Sequence, residues 1–149
     1  MTTPTHTAID ILLVEDSPTD ALITREALAQ ARVINRLHHV EDGYEAMAFL
    51  RRTGPFTDAP RPGIILLDLN LPKKSGLEVL AEIKADADLQ TIPVVVLTTS
   101  KASQEVEAAY RLHANCFITK PVEFEEMAAS LRALENFWFS IVTLPPESK

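Results

Sequence analysis

Short aliphatic runs alternate with stretches of helical periodicity along most of the chain. The runs have strand length, whereas the segments between them place apolar residues three or four positions apart, as an amphipathic helix does. We predict strands at residues 9–14, 37–40, 64–67, 94–97 and 116–118. We predict helices from residue 18 to about residue 31 and over residues 43–52, 75–85, 103–112 and 123–139.

The predicted strands are continuously aliphatic rather than alternating, which is typical of strands buried on both faces. The regular succession of strand and helix favours the α/β class, with a parallel sheet covered by helices. In such sheets functional groups gather just beyond the carboxyl ends of the strands. That edge is where we expect a site.

The chain has 149 residues, enough for one buried core but not for two ordinary domains. We expect a flexible tail at residues 1–8, one domain at residues 9–139 and a C-terminal extension at residues 140–149. The few residues after the last predicted helix are too few for a DNA-binding or catalytic module. We therefore expect the chain to act through a partner protein.

Composition excludes several classes of function. A formal charge of -7 argues against direct binding to a nucleic-acid backbone, and no apolar stretch approaches a membrane span. The first residues do not resemble a signal peptide, and the single cysteine, Cys116, excludes an internal disulfide. These features predict a cytoplasmic protein.

Acidic residues follow two of the predicted strands. Glu15 and Asp16 come after the first strand, and Asp68 ends the otherwise aliphatic run of the third. Carboxylates crowded at one edge repel each other unless a cation joins them. The four histidines show no ligand spacing, and His38 and His39 are predicted to be partly exposed sheet residues. Oxygen-only ligands favour Mg²⁺ over zinc.

A metal-bound carboxylate can also act as a nucleophile toward phosphorus and form an acyl phosphate. Thr98 follows the fourth strand and Lys120 the fifth, so a hydroxyl and an ammonium are available for phosphoryl oxygens. Taken singly, each acid is more often a helix cap or a solvated loop carboxylate. Their coincidence at the strand ends favours a phosphorylation site at Asp68.

Four motifs in this order resemble the response regulator receiver domains of bacterial two-component signalling: ILLVEDSPTD, IILLDLNLPKKSG, VVVLTTS and FITKPV. The resemblance spans residues 9–137. It implies a five-stranded parallel sheet with the flavodoxin-like strand order 2-1-3-4-5 and helices on both faces. It also implies a phosphoacceptor that promotes its own phosphorylation and slow dephosphorylation, rather than an enzyme acting on an external substrate.

The same resemblance implies a ligand set for Mg²⁺. Asp16 and Asp68 would bind the ion directly, Glu15 mostly through water, and the backbone carbonyl of Asn70 would complete the protein ligands. The phosphoryl group would then rest on Asp68.

The family pattern further implies a switch. Lys120 would be aimed inward by a cis peptide before Pro121, and Thr98 would move toward the phosphoryl group while Phe117 turns into the vacated space. Phe117 stands where many relatives have tyrosine. Because it has no phenolic hydroxyl, the switch would be transmitted through side-chain packing. Thr99 stands where a smaller residue is common. We hypothesise that its bulk narrows access to Asp68 and slows phosphorylation kinetics.

A narrower resemblance is to the single-domain regulators that partner phytochrome-type histidine kinases. It rests on the VEDS start, the DLNLPKKSG string, the proline-rich loop before the third strand and the aromatic C-terminal stretch. It implies a sensor histidine kinase of the phytochrome type as partner. Aromatic residues beyond core requirements often mark an interface. We predict a homodimer through the fourth and fifth helices and the residues Phe137, Trp138, Phe139 and Ile141.

Three alternatives are weaker. A Mg²⁺-dependent phosphatase of the haloacid dehalogenase type would carry a second acid two residues after its nucleophile, where this chain has Asn70. A degenerate receiver acting only as an interaction module would not need Asp68 or Lys120, and both are present. Flavin binding is disfavoured because no glycine-rich loop that could bind a phosphate follows the first strand.

Overall fold

The computed structural model describes residues 9–30, 35–98, 107–108, 111, 116–119, 128–129 and 132. Its strands are β1 (Ile9–Val14), β2 (Asn35–Val40), β3 (Ile64–Asp68), β4 (Val94–Thr98) and β5 (Cys116–Thr119). They form one sheet in the order β2-β1-β3-β4-β5, and every neighbouring pair is parallel. The predicted α/β class and the order of the first four strands are confirmed, and β5 pairs with β4.

Helices α1 (Pro18–Ala29), α2 (Gly43–Arg51) and α3 (Gly76–Ala85) connect these strands. Each begins at a polar cap that the sequence supplies. Ser17 accepts a hydrogen bond from the Asp20 amide, and Asp42 accepts one from the Glu45 amide. Ser75 and Glu78 form a reciprocal capping box on α3. Because caps satisfy amides that have no partner inside the helix, these residues fix where the helices begin.

Most of the predicted fourth and fifth helices lies outside the described residues. Residues 107, 108 and 111 are helical within the fourth, as are residues 128, 129 and 132 within the fifth.

The sheet is covered on both faces within the described part of the chain. Successive side chains of a strand point to opposite faces. Leu12 and Val14 therefore pack in one apolar cluster with α2 and α3, and Ile11 and Leu13 pack in another with α1. Leu12, Leu13 and Val14 have no exposed surface. This burial explains why the central strands show no polar alternation.

Several boundaries differ from the sequence prediction. Strand β2 begins two residues earlier than predicted, at Asn35, because it continues to pair with β1 down to Ile9. Helix α1 ends at Ala29, two residues before the predicted end. The proline-rich loop contains a 3-10 helix, Gly54–Phe56, that was not predicted. Phe56 in this turn packs against Phe49 of α2, with ring centroids 5.6 Å apart.

Candidate metal centre

The parallel register brings the acids of two strands together. Val14 of β1 pairs with Leu67 of β3, so Glu15 and Asp68 come next along the same edge of the sheet. Carboxylate oxygens of Glu15, Asp16 and Asp68 all lie within 4.8 Å of one another. Glu15 is 1% exposed and Asp68 4%, whereas Asp16 is exposed. The cluster thus consists of two buried carboxylates and one carboxylate exposed to solvent.

Backbone amides hold two of these carboxylates in place. The amide of Ser17 donates to Glu15 Oε2 at 3.2 Å, and the amide of Asn70 donates to Asp68 Oδ1 at 3.0 Å. The second bond also brings the backbone of Asn70 next to Asp68. This is the residue whose carbonyl was predicted to bind the metal.

The donor set fits a hard divalent cation. Burying a carboxylate is costly without compensation, and crowding it against two more adds repulsion. A divalent cation offsets both costs, and carboxylate oxygens at this separation are the ligands that Mg²⁺ prefers. Among the described residues, these three acids are the group of side chains placed to hold an ion.

The loop between β3 and α3 is tightly folded against α2. The amide of Lys74 donates to the Pro72 carbonyl at 2.7 Å, and Lys73 between them has a φ of 67°, which together describe a γ-turn. Lys73 Nζ lies 3.5 Å from Asp42 Oδ2. A Cβ at Gly43 would overlap the Lys74 carbonyl oxygen, so only glycine permits this approach.

Sequence reasoning assigned no role to Asp42, Lys73 or His39. The Asp42-Gly43 pair at the start of α2 was a usable signal for a helix cap and for a close backbone approach. No local signal joins Lys73 to Asp42 or His39 to Glu15, because these partners are 31 and 24 residues apart.

The backbone also brings two further predicted site segments to this edge. Asp68 pairs with Leu97, so Thr98 is the next residue of β4 along the edge. Thr98 in turn pairs with Thr119, the residue before Lys120. Phe117 pairs with Val96, two residues back from the edge.

The remaining predicted site residues lie outside the described residues, and their roles stay predictions. These residues are Thr99, Lys120, Pro121, Phe137, Trp138, Phe139 and Ile141.

One protein family matches most of the chain. The sequence model of that family, the response regulator receiver domain, matches residues 11–132. The chain belongs to this family. It is 50% identical over 135 residues to the response regulator Rcp1 of Synechocystis sp., a match that covers 91% of this chain and 92% of that protein. The haloacid dehalogenase alternative finds no support.

Two solved structures of receivers are similar over nearly the whole chain. The phosphorylated cyanobacterial phytochrome response regulator RcpA superposes with a TM-score of 0.87 at 48% identity, covering 93% of this chain and 99% of that one. The Mn²⁺-bound form of response regulator Rcp1 gives a TM-score of 0.84 at 49% identity, covering 92% and 99%. A relative with a bound divalent metal agrees with the acidic cluster found here.

Across the ranges that the structure describes, no helix is both long enough and apolar enough to cross a membrane.

Proposed function

We propose that this receiver accepts a phosphoryl group from a sensor histidine kinase onto Asp68 in a Mg²⁺-dependent reaction. The observation that carries the proposal is the meeting of Glu15, Asp16 and Asp68 within 4.8 Å. Asp68 is the member that ends a fully buried aliphatic strand, where a charge is unfavourable without a compensating role.

The transfer needs little covalent chemistry from the protein. A carboxylate oxygen of Asp68 attacks the phosphorus of the kinase's phosphohistidine, so an O–P bond forms and the N–P bond breaks. The leaving imidazole nitrogen keeps the electron pair and takes up a proton. Asp16, Asp68 and the Asn70 carbonyl would hold the ion directly and Glu15 would hold it through water, and the ion would neutralise charge at the phosphoryl oxygens.

Residues at the neighbouring strand ends complete the proposed phosphate site. Thr98 would donate its hydroxyl to a phosphoryl oxygen, and Lys120, which a cis peptide before Pro121 would aim inward, would neutralise another. The register of β4 and β5 supports this assignment, since position 98 pairs with position 119. Phe117 would then couple the movement of Thr98 to the outer surface.

The proposed partner is a phytochrome-type histidine kinase. Support comes from the 48% identity to RcpA, which is described as a phytochrome response regulator. The homodimer predicted through Phe137, Trp138, Phe139 and Ile141 is part of the same proposal. The domain division at residues 9–139, the absence of nucleic-acid binding and the cytoplasmic location stay predictions from the sequence.

Incubation with acetyl phosphate and Mg²⁺, followed by intact mass spectrometry, tests the proposal. Wild type should gain one phosphoryl group, and Asp68→Asn should gain none. Asp58→Asn is the matched control, because Asp58 is an exposed acid in the proline-rich loop. Phosphorylation of Asp68→Asn, or continued turnover of external phosphoesters, would contradict a receiver that uses Asp68.

Phosphotransfer from a purified kinase tests the partner. A phytochrome-type kinase labelled on its histidine should lose label to this chain faster than an unrelated histidine kinase does. Equal rates would remove the phytochrome assignment and leave the receiver chemistry intact.

Two simpler measurements test the remaining parts. Light scattering at micromolar protein should give twice the chain mass, and a monomeric mass would contradict the dimer.

Thr99→Ala should change the rates of phosphorylation or dephosphorylation, and unchanged rates would exclude a role for the bulk of Thr99.

A further inference from the structure

Adjacent histidines on the edge strand β2 make different contacts. His38 Nε2 lies 2.9 Å from Asp10 Oδ1 and its ring packs against Phe49 of α2. His39 Nε2 lies 2.7 Å from the backbone carbonyl oxygen of Glu15. A carbonyl oxygen can only accept, so Nε2 of His39 carries a hydrogen and donates it.

This contact falls at the point where the chain leaves β1 for the metal centre. The amide of Glu15 donates to the Val40 carbonyl at 3.0 Å, which is one bond beyond the paired residues of β1 and β2. The Glu15 carbonyl accepts from His39, the residue before Val40. Strand β2 therefore holds the backbone of Glu15 by its amide and by its carbonyl.

The peptide that His39 holds is the one that joins Glu15 to Asp16. Both residues offer carboxylate oxygens to the acidic cluster, and Glu15 is 1% exposed, so its side chain has little room to compensate for a backbone rotation. Carboxylates that repel each other tend to separate when no ion is bound. A bond that fixes this peptide keeps them close before the ion arrives.

We propose that His39 is a positioning residue of the metal centre. Its imidazole fixes the Glu15–Asp16 peptide, pre-arranges both carboxylates and thereby raises the affinity for Mg²⁺. The inference rests on the proposed function, in which these acids bind the ion. In other metal sites, removing a group that orients a metal ligand lowers the metal affinity about 10-fold to 100-fold.

The affinity for Mn²⁺ tests the inference directly. It is measured from the electron paramagnetic resonance signal of the free ion, and competition with Mg²⁺ then gives the affinity for Mg²⁺. His39→Leu removes the donor and should raise the dissociation constant about tenfold. His39→Gln places an amide nitrogen near the position of Nε2 and should bind close to wild type. His38→Leu is the matched control, since it changes the neighbouring histidine and leaves the Glu15 carbonyl bonded.

Phosphorylation gives a second readout. With acetyl phosphate as donor, His39→Leu should need about tenfold more Mg²⁺ for half-maximal rate and reach the same rate at saturation. A lower maximal rate with an unchanged Mg²⁺ requirement would overturn the inference.

The outcomes separate this inference from the proposed function. If wild type binds no Mn²⁺, or if Asp16→Asn binds it as tightly as wild type, the metal centre itself is wrong. If wild type binds and His39→Leu binds equally well, the role of His39 is wrong. Equal losses of affinity in His39→Leu and His38→Leu would indicate general destabilisation and would also overturn it.

Should His39→Leu fail to fold, His39→Asn serves as the loss variant. Its shorter amide reaches the position of Nδ1 rather than Nε2, so it should bind Mn²⁺ more weakly than His39→Gln. Equal affinities of these two variants would overturn the inference.

Discussion

Gly76, the first residue of α3, lies directly against the backbone of Asp68. A Cβ atom at position 76 would overlap the Asp68 carbonyl oxygen and lie 2.5 Å from Leu69 Cα. The amide of Gly76 also donates to the Leu69 carbonyl at 3.0 Å. The absence of a side chain therefore allows α3 to start immediately beside the proposed phosphoacceptor.

Gly76→Ala should lower the free energy of unfolding by about 3 kcal/mol or more, because backbone atoms rather than flexible side chains must move. Urea unfolding measures this. Gly54→Ala is the control: Gly54 has a φ of 58° with no atom within 4 Å of a Cβ, so only the backbone conformation is penalised. That cost is about 1 kcal/mol. Equal losses in the two variants would contradict the close approach of Gly76 to Asp68.

Arg52 caps the C-terminal end of α2, directly after Arg51, and its backbone lies in the left-handed region, with φ 57° and ψ 49°. Residues with a Cβ are strained there, and glycine is the usual occupant of such a helix end. Arg52→Gly should raise the free energy of unfolding by about 0.5–1 kcal/mol after the greater flexibility of the unfolded chain is allowed for. Arg51→Gly, at the last helical residue of α2, should instead destabilise by up to about 1 kcal/mol. Thermal unfolding of both variants checks the opposite signs.

Asp10 should make stability depend on pH in the acid range. Burial raises the pKa of Asp10, but hydrogen bonds from Arg36 and His38, with their charges, outweigh it and hold the pKa below its ordinary value of 3.8. A carboxyl with a lowered pKa stabilises the fold above its unfolded value, and this contribution is lost as the pH falls through the folded value.

Asp10→Asn should therefore lose about 1 kcal/mol of stability at neutral pH. The difference from wild type should shrink as the pH falls below about 4, where the unfolded chain takes up the proton first and folded Asp10 takes it up at lower pH. Urea unfolding from neutral to acid pH measures it, with the exposed Asp58→Asn as a control that shows no such trend. A difference that stays constant into the acid range would contradict the contribution of the Asp10 charge.

Mg²⁺ should stabilise wild type by about 2.7 kcal/mol at a concentration one hundred times its dissociation constant. Asp68→Asn should lose this gain. Without divalent cations the same variant should be more stable than wild type by about 1 kcal/mol, since it removes one of three crowded charges. The amide oxygen of Asn can still accept from the Asn70 amide, which lies 3.0 Å from Asp68 Oδ1 in wild type.

Thermal unfolding with and without Mg²⁺ checks these signs. Asp58→Asn should respond to Mg²⁺ as wild type does. An equal rise in melting temperature for wild type and Asp68→Asn would show that the ion binds elsewhere.

The strands were predictable where burial leaves a clear sequence pattern. Strand β1 was predicted with its observed bounds, and β3 and β4 each extend one residue further, to Asp68 and Thr98. The start of β2 was missed because Asn35 and Arg36 are polar. On an edge strand, one side of the backbone remains unpaired and polar side chains reach solvent, so the aliphatic signal fades.

The sequence by itself determined which residues stand at the strand ends and that three of them are acids, because strand and helix patterns arise from neighbouring residues. Only the tertiary structure decided that those acids meet within 4.8 Å, that Lys73 reaches Asp42 and that His39 holds the Glu15 carbonyl. These contacts join residues far apart in the chain. They depend on strand register and helix packing, which form together as the core is buried.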